Sequence, residues 1–323
     1  MNRIAILSNA GSGRNQRRAA LLRDLDGISG VVHRVTRSAE EIPEALAALR
    51  AAAPAVLAIN GGDGTVQAVL TAMEAERAAM LPIAVLPAGS TNMTAHDLGC
   101  GGRLPERLRD LLALRDRPRD AWPTESRSPL AVTDASGVTR SGFFFGTGTI
   151  VRGIEYWHAQ LAHGGGAGEW GAGAALARVA LGIARRQPPF ADALEIGIAL
   201  DDAPGETEQI SFLLVTGMRR LFLGIRPFWG DGPGPLACTW VASRPVGFVR
   251  RLPALLRGQG AKLPAREGYR AARPEQVTLQ LPESWVIDGE VFAQPGQVRI
   301  RSGPARPFVR LDGSPAADAV TAS

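Results

Sequence analysis

The stretch Ala55-Val-Leu-Ala-Ile-Asn-Gly-Gly-Asp-Gly-Thr-Val-Gln-Ala-Val-Leu70 sets a short apolar run directly before a glycine cluster that opens into helix-compatible sequence. The aliphatic run reads as a buried strand, and the residues from about Thr65 as a helix. Gly61, Gly62 and Gly64 lack a Cβ, so main-chain N–H groups there can approach a phosphate closely. The helix N-terminus that follows favours negative charge. Taken alone, this is equally well a tight βα turn capped by Thr65. Two companion stretches tip the balance. Asn9-Ala-Gly-Ser-Gly-Arg14 follows Ile4-Ala-Ile-Leu7, and Pro87-Ala-Gly-Ser-Thr-Asn92 follows Ile83-Ala-Val-Leu86. In an open parallel sheet such loops share the carboxyl edge, where ligands collect.

Up to about residue 120 strand and helix signals alternate. Strands are expected at 3–8, 31–35, 55–59 and 83–86, and helices near 14–25, 39–52, 65–79, 91–98 and 105–115, a βαβ pattern. The charged, proline-containing stretch 115–123 reads as a linker. Beyond it come short β-prone runs at 129–133, 138–145, 194–200, 210–216, 237–243, 277–281, 285–292, 297–302 and 307–311. Helical insertions are expected at 172–186 and 246–257. The expected fold is therefore α/β + β: an N-terminal Rossmann-like βα domain with a parallel sheet (1–122), followed by an antiparallel β-sandwich or barrel (123–304). Residues 305–323 form a C-terminal segment, with a return to the first domain as one course and a disordered tail from about 314.

With 323 residues, 45% hydrophobic and 21% charged, the chain has the composition of a globular protein of two ordinary domains. Its net charge of +5 suits an anionic nucleotide or an anionic membrane surface. No basic block or nucleic-acid motif stands out, so nucleic acid is not an expected partner. Lys262 is the only lysine. A Walker loop needs a lysine directly after its glycines, which excludes an ordinary P-loop kinase. Two cysteines, Cys100 and Cys238, are too few for a disulfide framework and fit a reducing cytosol. The N-terminus enters a strand without a signal-like segment, and no apolar run approaches the ~20 residues that span a bilayer.

The three loops, their order and Ile287-Asp-Gly-Glu-Val291 together resemble the diacylglycerol kinase catalytic family, which includes bacterial lipid kinases, sphingosine kinases and ceramide kinases. The family's glycine motif is matched in full at Gly61–Thr65. Its Asn-Pro-x-Ser-Gly motif stands here as Asn9-Ala-Gly-Ser-Gly13, without the proline, and Gly-Thr-x-Asn as Gly89-Ser-Thr-Asn92. The resemblance implies that ATP contacts Asn9, Gly11, Ser12, Gly13, Arg14, Thr36, Asn60, Gly61, Gly62, Asp63, Gly64, Thr65, Gln67, Gly89, Ser90 and Asn92. It implies Mg2+ near Asp63, whose carboxylate suits a magnesium-bound phosphate, and a second, structural magnesium at Asp231. There the family's leucine-rich continuation is replaced by Pro233-Gly-Pro235, and a bare turn reads equally well.

Asp288 is implied as the general base: a lipid hydroxyl is a poor nucleophile, and a carboxylate in hydrogen-bond reach can accept its proton as the phosphoryl group transfers. Glu290, two residues on, shares its face if the strand stays regular, and assists catalysis. Read locally, Asp-Gly between apolar residues is a hairpin turn. An Asn-x-x-x-x-Gly segment usual in the family is replaced by Phe145-Gly-Thr-Gly148, which leaves the shape of the acceptor pocket open.

Residues 157–170 flank a glycine tract with tryptophans and read as a candidate lid; the helix after it reads as a membrane-facing segment or an ordinary core-facing helix. Arg250, Arg251, Arg257 and Lys262 form a second basic cluster, for which a solvated helix face is the default. The four histidines show no metal spacing and are assigned no chemistry. The leading expectation is a cytoplasmic, ATP-dependent lipid kinase, peripherally bound to an anionic inner membrane, with a lipid as substrate and a homodimer as an open option. Alternatives are an NAD kinase, disfavoured because its Asn-Glu dipeptide is missing, and a catalytically silent lipid- or nucleotide-binding regulator, disfavoured by intact Asp63, Asp288 and Glu290.

Overall fold

The computed structural model describes residues 1–16, 19–76, 80–162, 178, 180–183, 185, 187–188, 190 and 192–313. It divides into two compact units, residues 1–128 with the segment from 304, and residues 129–303.

The first unit holds a six-stranded sheet of β1 (Ile4–Asn9), β2 (Val31–Thr36), β3 (Val56–Gly61), β4 (Ile83–Pro87), β5 (Thr124–Arg127) and β17 (Arg306–Val309), in the order β2-β1-β3-β4-β17-β5. Every pairing is parallel except β17 with β5. Strands β3 and β4 are buried along their whole length and β1 along all but its last residue, as expected where helices cover both faces of a parallel sheet. The helices are α1 (Gly13–Gln16), α2 (Ala19–Leu25), α3 (Ile42–Ala51), α4 (Asp63–Ala75), α5 (Met93–Asp97) and α6 (Leu104–Ala113). In α3 a proline occupies the first turn, where its missing N–H costs nothing, and Ile42, Leu46 and Leu49 bury one stripe.

Several boundaries differ from the sequence expectation. Of the helix expected over 14–25, α1 and α2 are described, and residues 17 and 18 lie outside the described residues. Helix α4 begins two residues before Thr65, directly on the glycine cluster. Strand β5 is not anticipated, and the strand expected at 307–311 pairs with β4 and β5 in the first sheet. Both short strands carry buried charges that are neutralised in place: Arg127 pairs with Asp97 at 2.6 Å, Arg310 with Glu125 at 2.9 Å and Arg306 with Glu74 at 2.8 Å.

The second unit is an antiparallel half-barrel. Its strands are β6 (Leu130–Thr133), β7 (Thr139–Gly142), β8 (Phe144–Gly148), β9 (Leu194–Leu200), β10 (Glu206–Thr216), β11 (Ala237–Ala242), β12 (Tyr269–Ala272), β13 (Gln276–Leu281), β14 (Trp285–Ile287), β15 (Glu290–Phe292) and β16 (Gly296–Ser302). They run β15-β14-β8-β10-β9-β13-β16-β6-β7, and β11 joins β10 to β12. Long β10 lends residues 206–210 to β9 and 212–216 to β8, with a register shift between Ile210 and Phe212. A bulge of this kind bends a strand and lets one sheet curl. The strand expected over 138–145 is split at Phe143, and the one over 285–292 is a hairpin.

Helices α7 (Thr149–Ala162) and α8 (Phe248–Leu256) lie in this unit, and residues 180–183 are helical as well. Helix α7, unanticipated, takes up the first part of the expected lid; residues 163–170, and most of the insertion expected at 172–186, lie outside the described residues. So does the tail from 314. No helix among the described residues is long and apolar enough to cross a membrane. Cys100 and Cys238 are buried and free, and burial pushes their thiols up to about 11 and about 12, so neither is a thiolate near neutral pH.

Candidate active site

The three small-residue loops of the first unit leave the carboxyl ends of β1, β3 and β4, and each is stitched to the other two. Asn9, the last residue of β1, donates from Nδ2 to Thr65 Oγ1 at 2.8 Å, while its Oδ1 accepts the Gly11 amide at 2.8 Å. The Arg14 amide reaches Ala88 O at 3.0 Å, and its guanidinium donates to Pro87 O at 2.9 Å. Gly62 and Gly89 then bring the second and third loops into main-chain contact: a Cβ built on Gly89 would lie 2.5 Å from Gly62 Cα. Gly61 acts within its own loop, since its Cβ would lie 2.5 Å from Thr65 Cβ. Gly62 and Gly89 are required by the packing of the loops on one another.

Helix α4 starts at Asp63 with no side-chain cap. Thr65, the expected cap, lies inside the helix and accepts from Asn9 instead. The leading amides of any helix have no acceptor within it, and here they follow half-buried Gly62 on a thirteen-residue helix. That arrangement fits an anion such as a phosphate. Ser12, Gly13 and Ser90 stand at the same loops, and a Cβ on Gly13 would come no nearer than 3.8 Å to Ser90 Oγ.

Many of the side chains expected to contact nucleotide are engaged by the protein itself. Asn92, at φ 52°, closes its loop by accepting the Gly89 amide at 2.7 Å and donating to Gly89 O at 2.8 Å. Thr36 Oγ1 donates to Ser8 O at 3.5 Å, and its carbonyl accepts the Ala10 amide at 2.9 Å. Gln67 donates along its helix to Thr71 Oγ1 at 3.1 Å. Asp63 caps α5, accepting the Met93 amide at 3.1 Å and the Thr94 amide at 2.8 Å. Burial raises its carboxyl above the ordinary value, against the lowering pull of the Thr94 and Met93 amides. Both carboxylate oxygens are thus committed to the fold, a poor fit to a direct magnesium ligand.

Beneath the loops runs a polar chain that sequence reading missed. The Asp26 carboxylate contacts His33 Nδ1 at 2.9 Å, His33 Nε2 meets Ser8 Oγ at 2.8 Å, and Ser8 Oγ accepts Asn60 Nδ2 at 2.9 Å. Asn15 donates to Asn9 O at 2.8 Å and Asn60 O at 3.0 Å. Ser8, His33, Asn60 and Asn15 are all buried. Burial lowers the His33 imidazole below its ordinary value, with Asp26 pulling the other way. The available signal was two polar residues, Ser8 and His33, inside otherwise apolar strand runs.

In the second unit Asp288 and Gly289 form the two-residue turn of the β14–β15 hairpin, with φ 48° and 93° and Ile287 paired to Glu290. Positive φ at both central positions is the hairpin turn that Asp-Gly favours. The local turn reading therefore holds, and Glu290 does not share a strand face with Asp288, because the turn interrupts the alternation. Asp288 is buried, and its carboxylate accepts the Phe143 amide at 2.9 and 3.1 Å and the Phe144 amide at 2.8 Å. Glu290 is exposed. Gly142 makes room for the turn: its Cβ would lie 2.2 Å from Ile287 Cγ2 and 2.7 Å from Asp288 Oδ2. Trp285, fully buried between Phe145 and Phe292 with ring centroids at 5.8 and 4.7 Å, pins the hairpin down.

Asp231 is exposed and joins Ala272 in an isolated bridge, its carbonyl accepting the Arg273 amide at 2.9 Å. Gly230, Gly232 and Gly234 admit the backbone of 271–275 so closely that a Cβ would collide with it. This is the geometry of a packed turn. Among the described residues no group of three or more His, Cys, Asp or Glu side chains could hold a metal ion.

Residues 3–121 match the family model of the diacylglycerol kinase catalytic domain. No curated protein matches the chain. Among solved structures, a "putative diacylglycerol kinase" from Bacillus anthracis str. Sterne superposes with TM-score 0.64 at 14% identity, covering 96% of this chain and 97% of its own. A second structure so described gives 0.62 at 13%, covering 95% and 97%. A diacylglycerol kinase from the same organism gives 0.58 at 11%, covering 96% and 97%. At such identities the likeness is one of fold.

Proposed function

We propose, from the diacylglycerol kinase catalytic domain matched at residues 3–121, that this protein is an ATP-dependent kinase that phosphorylates a lipid hydroxyl at a membrane surface. The observation that carries the reading is the mutual stitching of the three loops around an uncapped α4. It offers main-chain N–H groups to a polyphosphate without any lysine.

Bound ATP supplies the transferable γ-phosphoryl group. Gly62, Gly64 and Ser90, with Gly11, Ser12 and Gly13, hold the phosphates through backbone and hydroxyl donors. Asn9, Arg14, Asn60, Thr65 and Asn92 act at one remove, keeping those donors in place. Preorganised donors of this kind require no rearrangement when charge develops in the transition state. Asp63 is assigned to positioning, since it couples the start of α4 to the start of α5. No magnesium-dependent step is assigned to it or to Asp231. Asp288 is the proposed base, accepting the proton of the lipid hydroxyl, and exposed Glu290 assists beside it. The Phe143 and Phe144 amides orient the Asp288 carboxylate in that role.

The test is Asp288→Asn, which keeps the turn residue type and its acceptor oxygen. Loss of a positioned base is worth roughly 10²–10⁴ in rate. Turnover should fall by that factor while ATP affinity, read by calorimetry, stays as in the wild type. Full activity would remove Asp288 from the mechanism.

A further inference from the structure

The second unit carries an outward stripe that neither its core nor the proposed phosphate loops use. Helix α8 buries Phe248, Ala254 and Leu255 against Val241, Leu263 and Tyr269. Its opposite side presents Val249, Arg250, Pro253 and Arg257, at spacings of three and four that align them on one face, with Val246 just ahead of the helix. Val246 and Val249 are 55% and 64% exposed. Neither valine belongs to the packed cluster beneath α8, and both are set among arginines. Pro253 also removes the amide that would bond Val249 O within the helix.

The stripe is held rigidly and is strongly basic. Arg251 is tied to Glu267 and to Lys262 O and lies over the Tyr269 ring, while Tyr269 donates to Val246 O at 3.0 Å. Between Ser243 and Gly268 stand six basic residues, and Glu267, already paired, is the one acidic residue. Arg244, Arg250 and Arg257 form no ion pair with a described residue. Exposed apolar side chains flanked by unpaired arginines on a fixed helix complement an anionic bilayer surface, in which the valines enter the acyl boundary and the arginines meet headgroups.

We infer that the outer face of α8 docks this protein on anionic lipid bilayers. The inference builds on the proposed lipid kinase activity by naming the surface through which the enzyme meets its substrate phase, and its test is independent of turnover. Full-length protein is co-sedimented with vesicles of phosphatidylcholine alone and of phosphatidylcholine mixed with phosphatidylglycerol. Binding should favour the mixed vesicles. Arg250→Gln with Arg257→Gln should weaken it by roughly twentyfold, about fivefold per arginine. Val246→Ser with Val249→Ser should weaken it roughly tenfold. Arg103→Gln with Arg109→Gln, exposed positions at α6 that remove the same charge, should bind as the wild type. All variants should unfold at the wild-type temperature and phosphorylate a detergent-dispersed acceptor as the wild type does.

Wild-type indifference to phosphatidylglycerol, equal losses in the α6 control, or unchanged binding by both stripe variants would each overturn the inference. So would a dimer dissolved by the valine substitutions, or an oligonucleotide that outcompetes vesicles for the same face. Stripe-dependent vesicle binding by a protein that phosphorylates no lipid would leave this surface standing and remove the kinase reading instead.

Discussion

Gly89→Ala isolates the contact on which the loop architecture depends. Gly89 does not occupy the left-handed region, so alanine there brings no backbone strain of its own and the effect is purely steric. The new Cβ would stand 2.5 Å from Gly62 Cα and 3.2 Å from Asn92 Oδ1. Carbon atoms in contact settle at ~3.5–4.0 Å, so the second and third loops must part by about 1 Å. Neither side is the end of a flexible side chain, and Gly89 is also held at its N–H and its C=O by Asn92. Overpacking of this kind costs about 1–3 kcal/mol of stability. A displacement of about 1 Å in positioned groups costs about a hundredfold in rate. Nucleotide affinity by calorimetry, turnover with labelled ATP and denaturant unfolding read the three effects separately. Gly27→Ala is the internal control, because it lies outside the three loops and its Cβ would be 3.8 Å from the nearest atom, Asp24 O, and it should stay within about threefold of wild type. Wild-type affinity and turnover in Gly89→Ala, or equal damage from Gly27→Ala, would refute the reasoning.

His33 makes stability depend on pH. Its folded-state value is lowered, so its contribution is fully present above the ordinary histidine value and is lost as pH falls through the lowered one. Urea titrations across that range should show the slope, and His33→Gln should flatten it; an unchanged slope would remove His33 as its source. Asp63 runs the other way, since its raised value means that burial of the ionised form costs stability as pH rises through that value. Asp63→Ala orphans the Met93 and Thr94 amides and should cost about 2 kcal/mol, while Asp63→Asn, which keeps one acceptor and carries no charge, should stay within about 1 kcal/mol. Equal losses in the two unfolding curves would refute the capping role. Gly142→Ala should push the Asp288 turn away and lower kcat with nucleotide affinity intact; a loss confined to nucleotide binding would contradict the separation of roles.

The parallel half of the first sheet was legible because β1, β3 and β4 are continuous apolar runs, each ending in small residues that a turn needs. Strand β17 was expected at 307–311 and lies at Arg306–Val309, whereas β5 was not anticipated: Glu125 and Arg127 are charged, and their burial is licensed by partners distant in the chain, Arg310 and Asp97. Helix α7 was hidden because it begins immediately after β8, with no linker between the two periodicities. At the candidate site, the glycines announced a phosphate loop, yet two of them are spent on a contact between loops that no local pattern displays. Asp63 looked like a metal ligand because its partner helix lies thirty residues on. The Asp288-Gly289 turn was fully local and was legible as such; the amides that hold its carboxylate come from Phe143 and Phe144, far upstream.

The most direct measurement is incubation of the purified protein with γ-labelled ATP, mixed lipid acceptors bearing free hydroxyls, and NAD, followed by separation into organic and aqueous phases. The account predicts label in an organic-phase lipid with wild-type protein and roughly a hundredfold or more less with Asp288→Asn. Label confined to NAD or to free phosphate would contradict it.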